Sequence, residues 1–474
     1  MKFLLLRSTI WQHYDESRPF ITEDLSDFMT PSFYPPLGLQ YIASSLEHAG
    51  HQAEIIDISV DPDPFNNIKN AIPSADVIGM SVYYNDYQCV ADLTDIIHKE
   101  DSDIPMFIGG PHCTFLRERA LADIPRAEIS VAGEGEKVII DILKYFQGQK
   151  QLADIPGIHY RENGKIKKGK PIEIIKDLDS IHFPARHLVQ KYDYGKVNNL
   201  YPFKPKLTSM ITSRGCPFKC KFCARYGNVI DGWGFRQRSA ENIIEEIFKI
   251  TKDHRSVTIV DDNFLVDLKR ANKILDTIID SKLKLNILVE GARVDSASRE
   301  LYKKMKKANV KLVGYGIESG NQDVLDYYNK GFKLEQARKA VKLGSEMGFI
   351  TLATFILGAP IETRQHIENT INFACSIPLD VAFFLPLYYQ MHSQIWREAV
   401  KEGKIRADEY NPPADKSRGL SQFSTKELVD FSNEGSRRFY MRPKYMFGEI
   451  YRSLKRRNLK LLYNGLDVLK ANSR

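Results

Sequence analysis

The sequence predicts an α/β protein: an N-terminal doubly wound open sheet, then a partial (β/α)6 barrel, then a small helical C-terminal region. Three observations predict it. Short, continuously apolar runs alternate with helical stretches through residues 1–150, as parallel strands buried on both faces do. A second series of the same kind, with six strand candidates, runs from 207 to about 390. Beyond it the chain is basic and reads as mostly helical.

The 474 residues are 43% hydrophobic and 27% charged, a globular composition long enough for two to three domains. No apolar run reaches the ~18 residues of a spanning helix. The opening MKFLLLRSTIW holds only a strand's length of apolar residues, too short for the core of a signal peptide, so a reducing, cytoplasmic setting is expected. The net charge of +7 is too mild to argue for a nucleic-acid partner.

The strands of the first half are KFLLLR (2–7), AEIIDI (53–58), VIGMSV (77–82), MFIGG (106–110) and ISVAG (129–133). Between them PLGLQYIASSLEHAG places Leu39, Ile42, Ala43 and Leu46 at helical spacing and stops at Gly50; YQCVADLTDIIHKE and EKVIIDILKYF are further helices. Sheets of this Rossmann-like plan bind ligands at the carboxyl ends of their strands. There the chain carries Ser81, Gly109-Gly110 and Gly133-Glu134-Gly135. Such glycines let a planar ligand or a phosphate approach the backbone, or simply make tight strand–helix turns. GEGEKV lacks the third glycine and the later acidic residue of a dinucleotide fingerprint.

Residues 151–205, rich in Pro, Lys and Gly, read as a linker, with YRENGKIKK a hairpin around Asn163-Gly164. The barrel is expected over 206–395, from the strands LTSMITS, VTIVDD, LNILVE, VKLVGYGIE, ITLATFILG and VAFFLPL, with helices such as ANKILDTIIDS and EQARKAVKLGSEMG between them. Residues 396–474 form the basic C-terminal region. Barrel chemistry gathers at the carboxyl ends of the strands, and TSRGCPFKCKFCARYG (212–227) follows the first one.

That loop carries Cys216, Cys220 and Cys223 as C-x3-C-x2-C. A structural zinc site wants four ligands, and the second pair is missing. A disulfide is poorly served by three thiols in a chain with no secretory signal. Iron–sulfur clusters are held by thiolates, and a four-iron cluster held by three leaves one iron open to a small molecule. Zinc and a redox thiol group remain alternatives.

With Phe222 in the aromatic slot, the loop resembles the signature of the radical S-adenosylmethionine (SAM) enzymes. The resemblance implies a 4Fe–4S cluster on the three cysteines, SAM chelated at the open iron, and its reductive cleavage to a 5'-deoxyadenosyl radical. The second strand ends in Asp261-Asp262-Asn263-Phe264, similar to the acidic run found in a cobalamin-linked subclass where other members carry Gly-Gly-Glu. By that likeness Asp261 and Asp262 would face the SAM amino group, with helix N-capping the alternative for Asp262. Arg293 in VEGARVD would meet the SAM carboxylate, or pair with Asp295. Glu318 in GYGIESG would face the ribose or amino group, or make a core ion pair. FILGAPIE resembles the fifth-strand element, with Ile356 and Gly358 lining the adenine.

The stretches YPPLGLQYIASSLEHAGHQAEIIDI, GGPH and AGEGE resemble the cobalamin-binding domain of the same subclass. They imply cobalamin at the strand ends that carry Ser81, Gly109, Gly110, Gly133, Glu134 and Gly135. The D-x-H-x-x-G motif that supplies cobalt's lower histidine is missing; neither His13 in WQHYDE nor His112 in GGPHCT has the accompanying Asp and Gly. The subclass implies methyl transfer to an unactivated carbon, one SAM methylating cobalamin and another yielding the radical. Cyclisation, ring rearrangement or oxidation is the alternative. The expected partners are a small-molecule substrate, a lipid or other natural-product intermediate among the options, and an electron donor such as flavodoxin or ferredoxin. No nucleic acid is expected, and the chain is expected to be a monomer. A methylthiotransferase acting on transfer RNA would carry three further cysteines in its N-terminal domain, where this chain has Cys89 and Cys113. A cobalamin or cluster sensor would not need the full set Asp261, Glu318 and Gly358.

From 437 to 474 the chain has 11 Lys or Arg against Glu449 and Asp467, and RRFYMRPKYMFGEIYRSLKRR mixes aromatics with arginines. A solvated helix face, a substrate-pocket wall and a membrane-surface helix all fit that pattern.

Overall fold

The computed structural model describes residues 1–9, 33–196 and 201–456. His13, residues 197–200 of the expected linker and residues 457–474 of the basic tail lie outside them. The chain divides into two compact units: Met1–Tyr194 with Val229–Trp233, and Gly195–Asn228 with Gly234–Arg474.

The first unit is built on seven strands: β1 (Lys2–Arg7), β2 (Gln52–Asp57), β3 (Val77–Ser81), β4 (Met106–Gly109), β5 (Ile129–Val131), β6 (Ile158–Glu162) and β7 (Lys165–Lys168). Their order is β2-β1-β3-β4-β5-β6-β7. The first five pair in parallel. β2 and β3 lie on opposite sides of β1, so the winding reverses there and leaves a crevice at the carboxyl ends. Continuous burial of β1 explains its unbroken apolar run. Leu39, Ala43 and Leu46 of the helix Leu37–His48 pack with Ile139 and Ile142 of the helix Gly135–Phe146 against Phe3, Leu5 and Ile55.

The hairpin stands where Asn163-Gly164 placed it, both residues having positive φ, 50° and 72°. Its strands do not belong to a connector. β6 pairs antiparallel with β5, and β7 with β6, so residues 158–168 of the expected linker extend the first sheet. They cover the open edge that β5 would otherwise present.

The second unit has β8 (Leu207–Met210), β9 (Ser213–Arg214), β10 (Arg236–Gln237), β11 (Ser256–Ile259), β12 (Asn286–Ala292), β13 (Val310–Glu318), β14 (Ile350–Leu357) and β15 (Val381–Pro386). Six of these form one sheet in the order β15-β14-β13-β12-β11-β8, each pair parallel. The strands therefore lie side by side in chain order, as the staves of an incomplete barrel. β9 and β10 make a short antiparallel ribbon that opens and closes the cysteine excursion.

The C-terminal region closes on the last strand. The helix Thr425–Tyr440 lies against β15; Ser432 Oγ bonds to the Phe384 carbonyl, and a Cβ on Gly435 would come within 3.0 Å of the Phe384 ring. The next helix, Pro443–Arg456, turns Arg452 and Arg456 inward onto buried Asp380 at 2.7 and 2.8 Å, with Glu449 beside them. Tyr445 donates to the Asp380 carbonyl at 2.8 Å. The inner side of this basic stretch is thus neither a solvated face nor a bare pocket wall. It is an ion cluster that docks the helix. Among the described residues no helix is long and apolar enough to cross a membrane.

Candidate active site

The cysteine loop leaves β8 at the carboxyl end of the sheet. Its entry is fixed by Asp261, at the end of β11. One carboxylate oxygen accepts from the Thr212 amide at 2.6 Å, and the other takes the Thr212 and Ser213 hydroxyls. Arg270 Nη1 donates to the Thr212 carbonyl at 2.7 Å. Further along, the Lys221 amide donates to the Tyr328 carbonyl at 2.9 Å, Asn329 Nδ2 to the Lys219 carbonyl at 2.9 Å, and the Ala224 amide to Gln390 Oε1 at 3.1 Å. A loop rich in Gly, Pro and Lys holds one shape because its surroundings supply these partners.

Cys216, Cys220 and Cys223 are free thiols, each partly exposed. They lie within electrostatic reach of one another. The Cys223 thiol is pushed up to about 12 by burial first, then by Cys220, Asp262 and Cys216. The Cys216 thiol is raised by burial, and Arg293 opposes that rise. Among the described residues no three His, Cys, Asp or Glu side chains converge on a point where one metal ion would sit. In an iron–sulfur cluster each thiolate meets a separate iron, and these three mutually felt thiols are the residues that would hold one.

The two aspartates at the end of β11 part company. Asp261 is buried and spends both oxygens on the protein, which corrects the expectation that it faces a ligand. Its carboxyl is raised by burial against the hydroxyl and amide bonds that favour the anion. Asp262 accepts no hydrogen bond from a described residue and is exposed. Enough protein surrounds it that desolvation, then Asp261, push its carboxyl upward. It is also felt by Cys216 and Cys223. Backbone crowding sets this turn: a Cβ on Gly291 of β12 would lie 2.2 Å from the Asp261 carbonyl oxygen.

Arg293 follows β12. Its guanidinium lies 3.7 Å from the centre of the Phe218 ring in the cysteine loop, and it is tied to Asp295 at 2.8 Å and to the Lys330 carbonyl at 2.7 Å. Glu318 ends β13 at a break in the pairing register with β14, in the left-handed region at φ 73°. That conformation is costly for a residue with a side chain, and such strain concentrates at working sites. Its carboxylate is buried and paired with Lys330 Nζ at 3.1 Å, the core ion pair that was one of its two readings, and Thr354 Oγ1 donates to it at 3.3 Å. Lys330 Nζ in turn stands 5.6 Å from the Phe222 ring, which meets Tyr328 edge-on at 5.0 Å. Ile356 and Phe222 pack on the small cluster of Val324, Tyr328 and Ala359. Gly358, at φ 111°, and Ala359 give their amides to Glu362 at 2.6 and 2.8 Å.

The structure thus gathers the cysteines, Phe222, Asp262, Arg293, Glu318, Ile356 and Gly358 around the carboxyl ends of the second sheet. It adds Lys330 and Glu362, which the sequence reading passed over. Glu362 lies four residues past Gly358, and Lys330 follows a positive-φ Asn329; nothing in the local pattern marks either as buried.

In the first unit Ser81, Gly109, Gly110, Gly133 and Gly135 leave a partly exposed row of small residues at the ends of β3, β4 and β5. Gly110 has a backbone reason to be glycine: its φ is 105°, and a Cβ would meet the Val82 carbonyl oxygen at 2.9 Å. Glu134 is buried and accepts the Ile175 amide at 2.8 Å, so it braces the chain and does not line the row. His112 is buried and stacked on Tyr87 at 5.0 Å. A row of small, partly exposed groups suits the close approach of a broad planar ligand.

A parallel partial barrel with three loop thiols after its first strand, and a separate doubly wound sheet ahead of it, defines a two-unit α/β protein with thiols placed where barrel chemistry gathers. The sequence agrees. The model of the Radical SAM superfamily matches residues 210–374, and that of the B12 binding domain matches residues 30–143. The chain belongs to the radical SAM superfamily and carries a B12-binding domain, so its cofactors are a 4Fe–4S cluster, SAM and cobalamin. It is 28% identical to an uncharacterized methyltransferase of Pyrococcus horikoshii, over 88% of this chain and 90% of that one. It is 25% identical to the anaerobic magnesium-protoporphyrin IX monomethyl ester cyclase of Cereibacter sphaeroides, over 86% of this chain and 67% of that one. Its fold matches the cobalamin-dependent SAM radical enzyme OxsB with a TM-score of 0.69, at 17% identity, covering 100% of this chain and 80% of that one.

Proposed function

We propose that the chain is a cobalamin-dependent radical SAM methyltransferase acting on an unactivated carbon of a small molecule, one SAM giving the methyl group and another the 5'-deoxyadenosyl radical. The observation that carries this is the extent of the likeness: the methyltransferase is matched over 90% of its length and the cyclase over 67% of its own. When bound, the three cofactors supply the electron relay, the hydrogen-abstracting radical and the methyl carrier.

The residues then divide by task. Cys216, Cys220 and Cys223 hold three irons and leave the fourth for SAM. Asp262 faces its ammonium. Arg293 exchanges Asp295 for its carboxylate, a like-for-like charge-assisted bond. Phe222, Ile356 and Gly358 flank the adenine, and Glu318, held by Lys330, accepts from the ribose. Asp261 acts through Thr212 and Ser213, which it holds at the loop entry. Ser81, Gly109, Gly110, Gly133 and Gly135 line the cobalamin, with Glu134 bracing them. A flavodoxin or ferredoxin supplies electrons, and the chain works as a cytoplasmic monomer.

The test is product stoichiometry. Anaerobically reconstituted protein given a substrate-bearing metabolite extract should form S-adenosylhomocysteine and 5'-deoxyadenosine in about equal amounts per turnover. Deuterated methyl from SAM should arrive in the product. 5'-Deoxyadenosine without S-adenosylhomocysteine, and a product that gains no methyl mass, would transfer the assignment to ring closure or rearrangement, the reading that the cyclase relative favours.

A further inference from the structure

The outer side of the helix Pro443–Arg456 has no role in the chemistry above, and it is unlike the rest of the surface. Of the 14 large hydrophobic side chains that are exposed among the described residues, six fall between Met441 and Leu454. Phe447 is 73% exposed, Tyr451 67% and Leu454 58%, with Met446 and Ile450 beside them. At ~100° per residue these five cover one arc of roughly 140°. The inward arc holds Tyr445, Glu449, Arg452, Ser453 and Arg456, fastened on Asp380. The helix is therefore docked by one side and bare on another.

Charge decides what the bare side fits. The only acidic residue of the helix, Glu449, is buried and paired. Its exposed charged residues are Lys444 and Lys455, which fall beside each other at the rim of the apolar arc. The sequence continues with Arg457, Lys460, Lys470 and Arg474 against Asp467. An apolar strip of large side chains, bordered along one rim by two lysines and carrying no anion of its own, matches a surface with a hydrocarbon interior and negative headgroups. We propose that this face lies on an anionic lipid bilayer, with Phe447, Tyr451 and Leu454 entering the interface and Lys444 and Lys455 meeting the headgroups. The proposal is independent of the reaction assigned above, because none of these residues is near the cysteine loop in the chain's element order or bonded to it.

Full-length reconstituted protein should be sedimented with vesicles of mixed phosphatidylglycerol and phosphatidylcholine, and with vesicles of phosphatidylcholine alone. Binding to the anionic vesicles should exceed binding to the neutral ones by about tenfold and weaken with added salt. F447E/Y451E should lower it by about tenfold while leaving the cluster's visible absorbance and SAM cleavage unchanged. K444E/K455E should abolish the preference for anionic lipid. Equal recovery of wild type and F447E/Y451E with anionic vesicles would overturn the proposal. So would concentration-dependent self-association that the same variant removes, in the absence of lipid binding, since the face would then belong to a second copy of the chain.

Discussion

Asp261 and Asp262 stand next to each other, yet they face opposite demands. Asp261 satisfies three donors at the loop entry, so Asp261→Ala leaves buried donors unpaired at a cost of about 3 kcal/mol. Its melting temperature and its iron retention should both fall. Asp262→Asn removes no internal bond; melting should stay close to wild type while SAM affinity drops about tenfold, measured by equilibrium dialysis of the reconstituted protein. Glu362 offers a pH test. Burial raises its carboxyl from 4.5 to about 7, against the Gly358 and Ala359 amides that favour the anion. Because the folded value lies above the unfolded one, the neutral form's advantage is complete below pH 4.5 and is lost as pH rises through 7. Wild type should therefore lose about 3 kcal/mol across that window relative to Glu362→Gln, in urea melts taken at each pH. The three cysteines were legible because their spacing is chemistry in itself. Lys330 and Glu362 were not, since a lone charged residue after a turn reads as solvated, and only the packing of distant strands makes it buried.

At the level of elements, both sheets could be read from their apolar runs, because parallel strands covered on two faces leave no polar alternation to confuse them. The hairpin at Asn163-Gly164 was equally plain. Its destination was not, since no local signal tells a hairpin which sheet edge to join. The last helix shows the same limit from the other side. Its arginines and aromatics announced amphipathicity, but which arginines point inward depends on Asp380, 72 and 76 residues away. Burial would raise the Asp380 carboxyl, and Arg456 and then Arg452 overcome it and hold the group below its usual range. Arg456→Met should cost about 2–3 kcal/mol by leaving the buried charge with Arg452 as its one remaining cation, and Asp380→Asn in the same chain should recover part of the loss, a coupling that a double-mutant cycle reads directly.

For the whole molecule, the strongest requirement is that two cofactor sites load separately. Cys216, Cys220 and Cys223 replaced together by alanine should reduce bound iron from about four to near zero. Cobalamin retention by the same variant should stay at about one equivalent, since the B12-binding domain contains none of the three thiols. Cob(II)alamin in the wild-type protein should show no superhyperfine splitting from a protein nitrogen, given that His112 is buried against Tyr87. Splitting would mean that a histidine does reach cobalt.

The piece Val229–Trp233 gives the fold a timetable. It belongs to the first unit, where the Val229 carbonyl accepts from Arg117 at 2.7 Å and Ile230 packs near Gly133. In sequence, though, it comes after β8 and after all three cysteines. A ribosome that has released residues 1–194 has not yet released every residue that packs in the first unit. Ile230, its last buried side chain, emerges only once the thiol-bearing stretch is already outside the tunnel. Those thiols thus reach solvent on a nascent chain, before the later strands that surround them exist. The second sheet adds strands in the order in which they are made, so each new stave finds its neighbour already present. Folding of the second unit can follow translation step by step, while the first gains its last packed segment only with residues 229–233. A force-sensitive arrest peptide moved along the chain should accordingly register completion of the first unit only at lengths that free residue 233, and earlier for a permuted chain in which 229–233 follows directly on residue 194.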